Sequence, residues 1–335
     1  MLQGRDSLTH SLVYNGHVLN SPQAFRPTPE APEAPDCPDY PDYPELPELP
    51  ELLVAPVPLV PPVFPAPPVF PVYPSLSMHL LIDIGNSTVV VAIASSDGNI
   101  SVTWRFKTLK GETSTFFRSE LLSGFAKYRL SSASVSTVTI SSVVPEVNDD
   151  ISQAVFDLTG IMPHFFSVAD ALPVLTIDIE SPSLVGHDRL ADAIGAACCY
   201  GSPAIVFDMG TATTVGVISS GYVFLGGMII PGVKTSLAAL STRASQLPSI
   251  NIETPSDIIG RNTLECMQSG ILYGTASMVD GIIDRLSSCF PSQPVIVATG
   301  GMARKIIPHC RHSVMIDDFL QFKGLFHSVI APHLK

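Results

Sequence analysis

From Met78 onward the hydrophobic and polar positions fall into two series of short apolar runs broken by small polar residues. Leu80–Ser95 reads LLIDIGNSTVVVAIAS and Ala204–Ser219 reads AIVFDMGTATTVGVIS. In each, an apolar run ends in Asp-x-Gly, a polar small-residue segment follows, and a second apolar run returns. That pattern predicts a β-hairpin with a glycine-containing turn. In the first series, Asn99–Thr108 adds a strand with alternating faces and Ser136–Val144 a β-rich run ending at Pro145. Phe116–Tyr128 and Asp150–Leu158 have helical spacing, and His164–Val168 reads as a further strand. In the second, the hairpin runs to Val223, and helices are predicted over Thr235–Gln246, Thr263–Ser288 and Gly324–Ala331, with a strand over Pro294–Ala298. Gly226-Gly227 and Pro231-Gly232 predict two tight turns around the apolar strand FLGGMIIPG. The two Asp residues, Asp83 and Asp208, are 125 positions apart. A solenoid repeats at roughly 20–50 residues, so this spacing indicates a duplicated α/β domain.

The repeated turns carry candidate chemistry. Gly85 and Gly210 allow a sharp turn and the close approach of a phosphate. Asn86, Ser87 and Thr88, like Thr211, Thr213 and Thr214, offer amide or hydroxyl donors beside exposed backbone N–H groups. The carboxylate at each strand end suits a cation that neutralises phosphate. A single such turn is an ordinary hairpin corner. Two matched copies predict phosphate-binding hairpins facing each other across an interdomain cleft. Between the halves lies PSLVGHDRLADAIGAACCYG, from Pro182 to Gly201, whose Asp188 sits at or near a helix N-terminus with Leu190, Ala191, Ile194 and Ala197 as the apolar face. Asp188 reads either as a helix cap or as an acceptor of a substrate hydroxyl proton, and Arg189 as a fork for a substrate carboxylate. His187 reads as a solvent-exposed turn residue. Thr299-Gly300-Gly301 closes the strand VIVATGG, where backbone can approach a flat ligand such as a nucleoside.

Composition separates the first 77 residues from the rest. They hold most of the chain's 31 prolines, including the period-three stretch PDCPDYPDYPELPELPEL from Pro35 to Leu52. Proline at every third position forbids helix and sheet and favours polyproline II. Leu53–Pro74 is apolar, but its prolines would leave backbone groups unsatisfied in lipid, so no transmembrane helix is expected there. It also lacks the basic start and unbroken apolar centre of a signal peptide. Residues 1–77 carry nine acidic residues and two arginines, leaving −5 of the net −12 for the remainder. No basic face indicates nucleic acid. Met78 opens the first strand, so 1–77 reads as an over-called start or as a disordered, partner-binding tail. The six cysteines (Cys37, Cys198, Cys199, Cys266, Cys289, Cys310) form no CxxC pair and no ligand-spaced set with histidine, as in a reduced cytoplasmic protein. The Asn86-Ser87-Thr88 sequon is a chance match in such a setting.

At this point the ordered motifs resemble those of the type III pantothenate kinases, in the actin, sugar-kinase and Hsp70 ATPase superfamily. The matching segments are DIGNS (Asp83–Ser87), SSVVP (Ser141–Pro145), GHDR (Gly186–Arg189), DMGTATT (Asp208–Thr214), GGMIIPG (Gly226–Gly232), IGRNT (Ile259–Thr263) with Ser269-Gly270, and TGG (Thr299–Gly301). They span residues 78–335 and none of 1–77. The resemblance implies two duplicated ribonuclease H-like, actin-like ATPase domains (78–200 and 201–335) around a nucleotide cleft. It implies ATP-dependent phosphorylation of pantothenate to 4'-phosphopantothenate, the first step of coenzyme A synthesis. Carried over by position, Asp83, Ile84, Gly85, Asn86, Ser87, Thr88, Val89 and Val90 form the first ATP-phosphate loop, and Thr211 contacts ATP. Gly186, His187, Asp188 and Arg189 line the substrate, with Asp188 the proton acceptor. Asp208 coordinates a monovalent cation, potassium or ammonium, and Mg²⁺ bridges the phosphate oxygens. Thr263 matches a substrate-contacting threonine that helps complete the site at a homodimer interface. Ile179 stands where some members place a tyrosine, so a phenolic hydrogen bond to substrate is missing there. Other small-molecule kinases or phosphatases of the superfamily, or a noncatalytic regulatory relative, are the alternative readings; the presence of Asp188, Arg189 and Asp208 argues against the last.

Overall fold

A computed structural model describes residues 77–244 and 246–333. The expectations for residues 1–76 (polyproline II, no transmembrane helix, and a disordered tail or over-called start) lie outside the described residues. The first sheet is built from β1 (Met78–Ile84), β2 (Thr88–Ser95), β3 (Ile100–Lys107), β4 (Val135–Ser142) and β5 (His164–Phe165), with helices α1 (Ser114–Lys127) and α2 (Asn148–Thr159) before and after β4. Its strand order is β3-β2-β1-β4-β5. The β1–β2 and β2–β3 pairs are antiparallel; β1–β4 and β4–β5 are parallel. A short helix α3 (Val168–Ala171) and a two-residue strand β6 (Thr176–Ile177) lead to α4 (His187–Tyr200).

The second series repeats this plan. It comprises β7 (Ala204–Met209), β8 (Ala212–Ser219), β9 (Val223–Pro231), α5 (Val233–Arg243), α6 (Thr263–Ser287), β10 (Val295–Thr299), α7 (Ala303–Ile306), β11 (Met315–Ile316) and α8 (Leu320–Leu325). The order β11-β10-β7-β8-β9-β6 is the mirror listing of the first sheet, with β6 added at the outer edge parallel to β9. β7 occupies the place of β1, and β8 that of β2. The duplicated ribonuclease H-like arrangement expected from the sequence is therefore present in the strand order itself.

Burial explains the strand composition. β1 and β7 are apolar on both faces because each is the centre of a sheet covered on both sides. The outer face of the first sheet packs Leu80, Ile82, Val89 and Val91 against Phe117, Leu121, Phe125, Ile151 and Val155 of α1 and α2. The outer face of the second packs Ile205, Phe207 and Val215 against Leu272, Ala276, Val279 and Ile283 of α6. A third cluster joins the two sheets: Leu81, Ala92 and Ala94 on one side, Val206, Ile218 and Phe224 on the other, with Leu190, Ile194 and Ala197 of α4 and Leu320 and Leu325 of α8 between. α4 and α8 lie close because two glycines remove side chains from their contact. A Cβ at Gly195 would sit 2.2 Å from the Leu320 carbonyl oxygen, and one at Gly324 1.8 Å from that of Ala191.

Three local expectations change. Gly226-Gly227 is not a turn but the interior of β9, beside an irregularity in its pairing with β8. The strand predicted over His164–Val168 shortens to two residues, because Ser167 caps α3 with a box closed by Asp170. The final helix begins at Leu320, ahead of Gly324, and continues as a wider π turn over Phe326–Ile330.

Candidate active site

The two repeated turns meet. Ser87 Oγ lies 3.3 Å from Thr211 Oγ1, joining the β1–β2 and β7–β8 hairpin tips across 124 residues of sequence. Each tip is braced from behind by the segment that follows its third strand. Thr108 Oγ1 donates to the Gly85 carbonyl at 2.6 Å, and the Thr108 N–H to Ser87 O at 3.2 Å. In the second copy, Thr235 Oγ1 and the Gly232 N–H both donate to Thr211 O, at 2.7 and 3.2 Å. Asn86, Ser87 and Thr211 are exposed at the tips. Rigid turns with exposed small polar side chains, facing one another, suit phosphate oxygens.

Behind the tips, acidic groups gather from three elements. Burial pushes the Asp83 carboxyl, at the end of β1, up to about 7; the Gln321 amide opposes this, and the charges of Asp188 and Asp208 add to it. Burial, then Asp188, likewise holds Asp208 at about 7. Asp192, one helical turn beyond Asp188 on α4, is 4% exposed, and its Oδ1 has no hydrogen-bond partner. Burial and the charges of Asp208, Asp188, Asp83 and Asp317 raise it well above the carboxylate range.

α4 presents Asp188 and Arg189 to this cleft. Gly186 is its N-cap, and Asp188 is in the first turn, where the helix dipole favours a carboxylate. Asp188 Oδ1 accepts the Arg189 N–H at 2.8 Å. The Arg189 guanidinium lies 5.8 Å over the Phe224 ring and donates from Nη2 to Val215 O at 3.3 Å, while its Nε is buried without a partner. Gly227 makes room for it: a Cβ there would stand 3.3 Å from Nη2 and 1.7 Å from Val215 O. His187 is not the exposed turn residue expected. It is the first residue of α4, partly buried, with its ring edge-on to Phe166 at 6.2 Å.

Thus Asp83, Ser87, Asp188, Asp208 and Thr211 converge, with Ile84, Gly85, Asn86, Thr88, Val89 and Val90 as the first hairpin and Gly186, His187 and Arg189 around the start of α4. Thr263 stands apart. It begins α6, exposed, beside a groove of about 720 Å³ lined by Leu240, Leu247, Arg261 and Met267 among others, and among the described residues no hydrogen bond ties it to the acidic cleft. Ile179 is partly buried and packs within 3.5 Å of where a Gly226 Cβ would lie. Two participants escape motif reading. Asp192 shares the face of Asp188, four positions on, and that spacing was a usable signal. Gln321, 238 residues from Asp83, had none.

The donor set fits a nucleotide with its cations. Among the described residues no three acidic, histidine or cysteine side chains form a ready-made metal cage. A Mg²⁺ ion needs only one or two carboxylates when phosphates and water fill the remaining positions. The gathered carboxylates, with Asp192 Oδ1 buried and unpartnered among them, are the groups beside which such cations would sit.

The match to known proteins agrees with this geometry. The type III pantothenate kinase family model matches residues 79–285. The chain belongs to the type III pantothenate kinase family. A type III pantothenate kinase from Halalkalibacterium halodurans is 37% identical over 254 residues, 74% of this chain and 97% of the relative. One from Bacillus cytotoxicus is 33% identical over 255 residues, 74% of this chain and 94% of its own length. Among solved structures, the activator of the 2-hydroxyisocaproyl-CoA dehydratase from Clostridium difficile with bound ADPNP aligns with a TM-score of 0.46 at 14% identity, over 75% of this chain and 92% of that one. The family assignment rests on the sequence relatives. No helix among the described residues is long and apolar enough to cross a membrane.

Proposed function

We propose that this type III pantothenate kinase transfers the terminal phosphoryl group of ATP to the primary hydroxyl of pantothenate, giving 4'-phosphopantothenate for coenzyme A synthesis. The observation that carries the reading is the apposition of the two hairpin tips at Ser87 and Thr211, with Asp83, Asp188 and Asp208 behind them. In phosphoryl transfer the protein mainly positions the reactants and offsets charge. The first hairpin, Asp83 to Val90, cradles the polyphosphate, and Thr211 holds it from the facing turn. Asp188 accepts the proton of the attacking hydroxyl. Arg189, fixed by Phe224 and Val215, pairs with the pantothenate carboxylate, while Gly186 and His187 form the wall beside it. Asp83, at the end of β1, would help to hold Mg²⁺, which would supply neutralisation of the phosphate charge. Asp208 holds a monovalent cation, potassium or ammonium.

The resemblance to the family gives Thr263 a contact with pantothenate in a site completed by a second copy, in a homodimer, and its exposed place at the start of α6 on a separate groove supports that reading. Cys198, Cys199, Cys266, Cys289 and Cys310 are free thiols among the described residues, which supports a cytoplasmic setting for the enzyme. The test is ADP release by the full chain with ATP, Mg²⁺ and pantothenate, the product followed by ³¹P NMR, with potassium, ammonium or sodium as the salt. A phosphomonoester formed with potassium or ammonium and not with sodium is expected. A folded, nucleotide-binding protein that phosphorylates other alcohols but not pantothenate would overturn the substrate. Turnover equal in sodium would remove the cation role of Asp208.

A further inference from the structure

The motif SSVVP plays no part in the mechanism above, and Gln321 lies in none of the family motifs and beyond residue 285, where the match to the family model ends. The fold brings the two together at Asp83. In the parallel β1–β4 pairing, Asp83 stands beside Ser141, the first residue of that motif. Gln321 Nε2 reaches both, donating to Asp83 Oδ1 at 2.7 Å and to Ser141 Oγ at 3.4 Å. Ser141 is fully buried and Gln321 partly so. A neutral amide is suited to this place. It can donate to a carboxylate and a hydroxyl at once without adding another charge to a cleft that already holds Asp83, Asp188, Asp192 and Asp208.

The amide is held in position by its helix. Leu320 and Gly324 flank Gln321 on α8, and both sit against α4 at the glycine contacts, Leu320 on Gly195 and Gly324 on Ala191. α4 is the helix that carries Asp188. The same close packing therefore sets Gln321 relative to the proposed base.

We infer that Gln321 is a positioning residue for phosphoryl transfer, fixing one oxygen of Asp83 against β4 and leaving the other for the nucleotide side of the cleft. The inference rests on the reading of Asp83 as part of the ATP-phosphate loop. It gives the C-terminal helix a direct hold on the nucleotide site.

The test uses the full chain with Gln321→Leu, which keeps the side-chain bulk without the donor, and Gln321→Asn, which keeps the donor but withdraws it by one methylene. Partners that orient a functional carboxylate typically contribute about 10–100-fold. Both variants are therefore expected to bind ADP with Mg²⁺ more weakly by calorimetry, and to lose about that factor in kcat/KM for ATP. The KM for pantothenate should stay within about twofold, since Gln321 touches none of the groups assigned to it. A structural role alone predicts a different outcome: a lower melting temperature with wild-type ADP affinity and wild-type kcat per folded molecule. That result, unchanged behaviour in every readout, or failure of both variants to fold would overturn the proposal. ADP binding separates this inference from the proposed reaction, because it is measured without pantothenate. ADP affinity that depends on Gln321, in a protein that does not phosphorylate pantothenate, would leave the positioning role standing and remove the substrate.

Discussion

Gly227→Ala and Gly216→Ala place the same methyl group on two residues of one ladder rung, since Gly216 and Gly227 are paired across β8 and β9. The structure predicts opposite results. At Gly216 the new Cβ would lie 3.6 Å from Phe224 Cε2, an ordinary contact. At Gly227 it would lie 1.7 Å from the Val215 carbonyl oxygen, so the backbone would have to move by more than an ångström. Gly227 also has φ 149°, a conformation that side chains rarely adopt. Strain at such a residue costs about 1–3 kcal/mol, and overpacking about the same again. The sum, about 2–6 kcal/mol, is a large share of a total stability of about 5–15 kcal/mol. A melting temperature lower by about 10 °C is expected for Gly227→Ala, and a shift of about 2 °C or less for Gly216→Ala. Because Arg189 Nη2 occupies the space beside Gly227, any folded Gly227→Ala protein should also show a raised KM for pantothenate. Differential scanning calorimetry on both variants, with steady-state kinetics on the folded fraction, makes the check. Equal, small shifts in the two proteins would refute the close approach of β9 to Val215 and Arg189.

Other consequences follow from the cleft. Replacing Ser87 and Thr211 together by Ala removes an exposed contact of small net worth, about 1 kcal/mol or less, so melting should barely change. The KM for ATP should nevertheless rise several-fold; a wild-type KM would detach the tips from nucleotide binding. The two partly buried acids at the ends of β1 and β7 set a pH dependence of the ligand-free protein. Asp83 and Asp208 are raised by burial from an ordinary 3.8 to about 7, so their contribution to stability is full below about pH 4 and is lost as the pH rises through about 7. In denaturant melts of the ligand-free chain, the midpoint should fall between about pH 5 and pH 8, and less so in an Asp83→Asn, Asp208→Asn double variant. A wild-type slope no steeper than that of the variant would contradict the burial of these groups.

Much of this was legible in the sequence, for physical reasons that differ from residue to residue. The hairpins at Asp83 and Asp208 announced themselves because a central strand must be apolar on both faces and its turn must contain glycine. The start of α4 was visible from the spacing of Leu190, Ala191, Ile194 and Ala197. Gly226-Gly227 misled because paired glycines mark turns far more often than strand interiors. Their meaning depends on Val215 and Arg189, which only the sheet brings close. The partial burial of His187 depended on Phe166, from another part of the chain. Asp192 could have been found by its spacing from Asp188. Gln321 could not, since an isolated glutamine on a short helix carries no local signal and its partner lies in the first strand.

The reaction itself is tested most directly by Asp188→Asn in the full chain, assayed for ATP-dependent formation of phosphopantothenate beside wild type. A positioned base contributes about 10²–10⁴-fold, so turnover should fall by that order while ADP affinity and melting temperature stay near wild type. Wild-type turnover in the variant would contradict the role of Asp188 and, with it, the mechanism built around the cleft.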